Sequence, residues 1–147
     1  MNVITTFVEK KRAKQIKYEK SVLREISVKA LKESVQHYFG SSRLTQSLIM
    51  NSGIEEACYD VAIEAFLLGA NMSRFGYYGE QAKDVKIRCQ QEEKHFVDTL
   101  YNFLLYWGNG EEGTMSESLY IQCEQFVNSW WIEGFHKGER RIKLKLH

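Results

Sequence analysis

Apolar residues recur along this chain at helical spacing, most densely between Ile54 and Met72. Ile54, Ala57, Cys58, Val61, Ala65, Leu68 and Met72 form a stripe of period 3.6, and Ala62, Ile63, Phe66 and Leu67 widen it until only a narrow polar edge remains. A helix apolar on most sides is one surrounded by others, so this segment is expected at the centre of the fold. Ser52, with Glu55 three residues on, has the capping-box spacing that starts a helix. Gly69 weakens the last turns, and Asn71, Ser73 and Gly76 are stop signals that predict an end near Ser73. Beyond it Phe75, Tyr77 and Tyr78, set between Gly76 and Gly79, form an aromatic turn expected to fold back over the bundle end.

The same pattern predicts the flanking elements. Thr6 and Glu9 open a helix expected to run unbroken to Gly40, with Ile16, Leu23, Ile26, Ala30 and His37 as its inner stripe and its lysine-rich first turns projecting. Leu44, Leu48 and Ile49 fit a short connecting helix between Ser41 and Asn51. A long helix is predicted from about Glu80 to Trp107, with Val85, Cys89, Glu92, Phe96, Leu100, Phe103 and Trp107 on one face. The glycine-rich run at residues 108–113 breaks it, and Thr114 with Glu117 starts the last helix, whose inward side is traced by Leu119, Cys123, Phe126, Trp130 and Glu133. Trp130 and Trp131 lie about 100° apart around a helix, so one is expected to plug the core and the other to cover an edge or meet a partner. Residues 138–147 are expected to form a mobile basic tail. The fold class predicted is all-α: an antiparallel bundle of four main helices plus a short connecting one, in one domain over residues 1–147.

Composition sharpens this picture in three places. The 147 residues include no proline, which permits long helices, and carry a formal net charge of +1. That near-neutrality hides an asymmetry: residues 1–33 hold nine Lys/Arg against four acids, residues 137–147 five against one, and the middle six against fourteen. Solvated or internally paired charge accounts for this; an anionic partner, nucleic acid or a lipid surface, is the alternative. The start of the chain carries charges where a signal peptide needs an apolar core, and no apolar run approaches the roughly 20 residues of a membrane-spanning helix. Cys58, Cys89 and Cys123, widely spaced and each on an apolar stripe, read as buried thiols of a reducing cytoplasm.

The segment Ala62–Glu80, AIEAFLLGANMSRFGYYGE, with the lysine-rich amphipathic start and the tryptophan pair near the C-terminus, resembles the YbaK-type family of Bacillus. These are small proteins of unknown function, distinct from the aminoacyl-tRNA editing proteins that share the name. The resemblance runs over most of the chain and rests on its LLG and FGYYGE pieces. It implies a cytoplasmic protein of spore-forming Bacillales, and it implies no activity, because the family brings no catalytic residues to carry over.

One constellation has the spacing of a metal centre. Glu92 with His95, and Glu133 with His136, are Glu-x-x-His pairs of the kind that holds two ions in four-helix carboxylate proteins, where Glu64 and Glu33 would complete a shell for iron, manganese or zinc. The helix order departs from that architecture, which alternates a lone-Glu helix with a Glu-x-x-His helix. Taken alone, Glu64 reads as a buried carboxylate in need of a partner such as Arg74, Arg88, Lys83 or a turn tyrosine. Glycine-rich phosphate loops, nucleophile elbows, helix-turn-helix and zinc-finger spacings are absent from the sequence.

The function expected from the sequence is that of a non-catalytic cytoplasmic interaction or regulatory module. Its working surface would be Phe75, Tyr77, Tyr78 and Trp131, meeting a protein partner or a second copy, with no resident cofactor. The metal-binding bundle of Glu64, Glu92, His95, Glu133 and His136 is the competing reading. Binding of an anionic partner through the basic termini is the third; for nucleic acid it predicts strong weakening by salt and loss on deleting residues 138–147, and no nucleic-acid-binding motif in the sequence supports it.

Overall fold

The computed structural model describes residues 3–40, 52–107 and 114–144. They form six helices, α1 (Val3–Leu23), α2 (Val28–Phe39), α3 (Ser52–Tyr77), α4 (Ala82–Arg88), α5 (Gln90–Trp107) and α6 (Thr114–Lys143), with no strand among the described residues. The all-α bundle expected from the periodicity is therefore what the chain adopts. The connecting helix expected between Ser41 and Asn51, and the turn at 108–113, lie outside the described residues.

Two of the four main helices are each broken once. The first stops at Leu23, where Glu25 N–H and Ile26 N–H close tight turns onto the carbonyls of Val22 and Leu23 at 3.0 and 3.1 Å. Ser27 then caps α2: its backbone is extended and its Oγ accepts from Ala30 N–H at 3.0 Å, satisfying a helix-start amide. This break shifts the helical phase. In place of the expected stripe, Val22 is buried on α1 and Leu31, Val35 and Phe39 on α2, while Ile16 and Ala30 face solvent.

The second break falls at Cys89, between α4 and α5. It lets Lys86 and Glu93, two turns apart in sequence, meet at 2.6 Å, and it tips α4 so that Val85 and Cys89 close over Trp131 and Phe135 as a second, smaller core. The main core lies between α2, α3, α5 and α6, filled by Phe39, Cys58, Phe66, Leu100, Leu104, Cys123, Phe126 and Trp130.

Contacts along the helices fix their directions. Gln15 meets Asn71, Tyr18 meets Ala70, and Ser34 meets Trp130 while Tyr38 packs on Phe126, so α1 and α2 run opposite to α3 and α6. Lys86 covers Trp131 and Asp98 meets Tyr120, so α4 and α5 also oppose α6. The up-down-up-down order leaves α3 and α6 parallel, and among the described residues these two helices pack against each other most extensively.

Small residues allow that packing. A Cβ on Gly134 would lie 1.9 Å from the Phe66 carbonyl oxygen, and one on Gly69 would lie 2.0 Å from that of Trp131. Gly138 fits against Ser73 and Ala70 in the same way. Gly69 thus acts as a close-packing site and not as a weak point, and α3 continues past the expected stop signals Asn71, Ser73 and Gly76 to Tyr77. Its true terminator is Gly79, at φ +110: Glu80 N–H returns to Phe75 O and Gly79 N–H to Gly76 O, both at 3.0 Å, the paired bonds of a Schellman cap.

The last helix corrects a further expectation. Residues 138–143 are its final turns and not a mobile tail, because Arg141 is buried among helices: Nη2 donates to Ser21 Oγ and Nη1 lies 3.7 Å from Glu25. Residues 145–147 lie outside the described residues.

Candidate functional site

The aromatic residues singled out in the sequence separate into a surface pair and a buried support. At the end of α3 Tyr77 is 45% and Tyr78 82% exposed, their rings 5.3 Å apart in a T-shaped arrangement. The Schellman cap fixes the backbone beneath them. Phe75 is half-buried, with the guanidinium groups of Arg74 and Arg88 at 5.1 and 4.4 Å from its ring centre, within cation–π range. Arg88 also forks onto Glu80, whose carboxyl it holds below the usual carboxylate range, so the turn is tied to α4.

Trp131 corrects the sequence reading: it is fully buried, not part of the surface. Its ring stacks on Phe135 at 5.1 Å and is roofed by Lys86 Nζ 4.6 Å from the centroid. Trp130 is buried as well, its indole N–H donating to Ser34 Oγ at 2.9 Å. Both tryptophans find cover because α2 lies on one side of α6 and α4 on the other.

Glu64 is also corrected. It is exposed on the outer face of α3, in line with Glu56 and Asp60, and is not a buried carboxylate. The narrow polar edge seen in the sequence is the solvent face of α3, so no internal partner is called for. Glu92 and His95 on α5, Glu133 and His136 on α6, and Glu33 on α2 are all exposed too. Among the described residues no three His, Cys, Asp or Glu side chains come together in a way that would hold a metal ion. The Glu-x-x-His spacing is real on each helix, yet neither pair turns inward.

The thiols are unsuited to nucleophilic work. Burial pushes Cys58 up to about 12, with Glu55 adding to it, and raises Cys123 further. Cys89 is raised by burial and then by Glu93, with Lys86 opposing. All three are buried and free.

The fold adds features that the linear sequence does not display. The C-terminal turns of α6 and the middle of α1 meet beside the last turns of α3: Arg141 reaches Ser21, and Gln15, Tyr18, Asn71, Arg74 and Ile142 line one shallow hollow of about 360 Å³. Tyr18 OH donates to Ala70 O at 3.2 Å, sharing that carbonyl with Ser73, and burial raises its pKa. The two basic ends of the chain therefore converge on the end of the bundle that carries Tyr77 and Tyr78. No signal in the sequence joins them; only the helix directions do.

Elsewhere the surface is grooved but mixed in charge. One groove of about 580 Å³ runs between α5 and α6 past Lys86, Glu93, Lys94, Tyr120 and Glu124. Another of about 430 Å³, between α2 and α6, carries Glu25, Glu133 and Lys137 around the Trp130–Ser34 bond. No helix among the described residues is long and apolar enough to cross a membrane.

Comparison with known proteins places the chain as a whole. The model of the family described as "Protein of unknown function (DUF2521)" matches residues 1–147. The Uncharacterized protein YbaK of Bacillus subtilis (strain 168) is 29% identical over 151 residues, covering 99% of each chain, in agreement with the resemblance drawn from the aromatic turn. No solved structure matches the chain.

Proposed function

The chain belongs to the DUF2521 family, and within it we propose a non-catalytic cytoplasmic protein that works by docking. The docking surface is the end of the bundle around Tyr77 and Tyr78. The observation that carries this reading is the exposure of two adjacent rings on a backbone held by paired cap bonds. Large rings left in water on a rigid support lose nothing further in backbone entropy on binding, and tyrosine is enriched at interface centres. The buried, upward-shifted thiols and the outward-facing carboxylates and histidines support docking over chemistry.

A photo-crosslinking amino acid placed at position 78, with one at position 106 as control, tests this in cells. Tyr106 is 78% exposed, so accessibility alone would label both. Adducts from position 78 and not from 106 are the expected result, abolished by Tyr77→Ser. Equal labelling from both positions, or none from 78, would remove the aromatic end as the docking surface.

A further inference from the structure

The same end carries more than two rings. Every residue from Phe7 to Lys17 on α1 is exposed, and the turns of the helix ahead of the Gln15–Asn71 contact form an arm at this end. Within it Lys10, Lys11, Arg12, Lys14 and Lys17 stand against the single acid Glu9. Arg74 on α3 and Arg140 and Lys143 on α6 are exposed at the same end, brought there by the contacts of Gln15 with Asn71 and of Arg141 with Ser21.

Apolar exposure gathers here as well. Of the ten large hydrophobic side chains exposed among the described residues, six belong to this end, namely Phe7, Val8, Ile16, Tyr77, Tyr78 and Leu144. Ordinary scatter of surface apolar groups would not place most of them beside the densest positive charge. An isolated helix of this length is marginal in water, so the arm gains from a surface on which to lie.

We propose that this end of the bundle docks on an anionic lipid surface, with the first half of α1 lying along the headgroups and Tyr77 and Tyr78 at the interface. The arm suits that occupant through charge first: its basic side chains reach the lipid phosphates, and the neighbouring Phe7 and Val8 are buried among the headgroups. Tyrosines are at home at the headgroup level. Nucleic acid is the poorer fit, because phosphates and base faces offer nothing to bury Val8 or Leu144. The proposal rests on reading this end as a docking surface and names what it docks on.

Co-sedimentation of the full chain with vesicles tests it. Vesicles of phosphatidylcholine with about one-third phosphatidylglycerol are expected to bind the protein, and pure phosphatidylcholine vesicles to bind it at least about tenfold more weakly. Charge reversal in Lys10→Glu/Lys14→Glu/Lys17→Glu should cost about tenfold or more, as should raising salt to about 0.5 M. Phe7→Ser should weaken binding with every charge intact, a readout that a purely electrostatic contact would not move. These residues are exposed, so helix content and unfolding midpoint should stay unchanged and serve as the folding control.

Failure to bind the phosphatidylglycerol vesicles, or preference for a fluorescent single-stranded oligonucleotide over them, overturns the proposal. Vesicle binding that survives Tyr77→Ser/Tyr78→Ser upholds the lipid contact of the arm and removes the tyrosines from it. A position-78 crosslink in a protein that ignores vesicles does the reverse, leaving the docking end and sinking the lipid.

Discussion

Gly134 of α6 lies flat against the carbonyl of Phe66 in α3, so close that a methyl group there would overlap the oxygen at 1.9 Å. Two parallel helices that are not neighbours in sequence make their tightest contact at this point, and the buried faces of both depend on it.

Gly134→Ala measures that dependence. In a helix interior alanine is favoured over glycine by about 1 kcal/mol, so an open site would gain stability. Here the clashing atom is backbone oxygen, which cannot swing aside, and the helices must part or bend. Overpacking of this kind costs about 1–3 kcal/mol beyond any propensity gain. The variant should show a lower urea midpoint at an unchanged m-value. A variant as stable as the parent would mean that the α3–α6 approach is looser than described.

Gly79→Ala offers the opposite case. No atom lies within 4 Å of a Cβ built there, so space is not limiting, but φ is +110. The cost is conformational alone, about 1–2 kcal/mol, and it should be local. Amide exchange at Gly79 and Glu80, which donate the two cap bonds, should speed up while the core of α3 stays protected. Uniform loss of protection along α3 would contradict a cap acting only at the end.

These two glycines show what the sequence could and could not disclose. The apolar stripe of α3 was legible because a 3.6 period is a property of the segment itself, and Cys58, Ala65, Leu100, Cys123 and Phe126 were placed inward on that basis alone. Gly69 was read as weakening its helix, since local propensity treats a helical glycine as a flaw; the carbonyl it packs against belongs to another helix. Trp131 was assigned to the surface because its neighbour Trp130 fills the main core. A second core, built by the break at Cys89, gives it cover. Glu64 was taken as buried because the stripe around it is wide, whereas the polar edge it sits on is the one face of α3 left to water. Tyr77 and Tyr78 were expected in a turn beyond a helix end near Ser73, whereas α3 runs on to Tyr77, and the arrival of α1 and the end of α6 beside them depends on contacts some 50 and 120 residues apart in sequence.

Arg141→Met tests how the ends are held together. The substitution keeps an unbranched apolar stem and removes the bond to Ser21 and the ion pair with Glu25. Hydrogen bonds to a charged group are worth about 1.5–3 kcal/mol, and a loss in that range is expected here. Exchange should quicken in α1 around Tyr18 and Val22 more than in α5, because the guanidinium joins α6 to α1. Lys143→Ala, at an exposed position on the same turns, should change stability by no more than about 0.5 kcal/mol. Equal effects from the two variants would return the C-terminal residues to the role of an unattached tail.

The contact between α5 and α6 should leave a pH signature. Tyr120 OH donates to Asp98 Oδ1 at 3.0 Å and Lys94 Nζ meets Oδ2 at 2.6 Å, and these two, Lys94 first, hold the Asp98 carboxyl below its ordinary value. A carboxyl depressed on folding stabilises the native state above its unfolded pKa of about 3.9 and loses that contribution as pH falls through the lower folded value. Tyr120 is shifted upward, chiefly by its bond to Asp98, and Lys94 likewise. Their share is complete below about pH 10 and fades as pH rises beyond it. Asp98→Asn should therefore be less stable than the parent across neutral pH, with the gap narrowing as pH falls through the lowered folded value and the parent carboxyl takes up its proton. Urea midpoints of both proteins from about pH 2.5 to 7 decide it, since a gap of constant size would show that Asp98 acts through shape and not through charge.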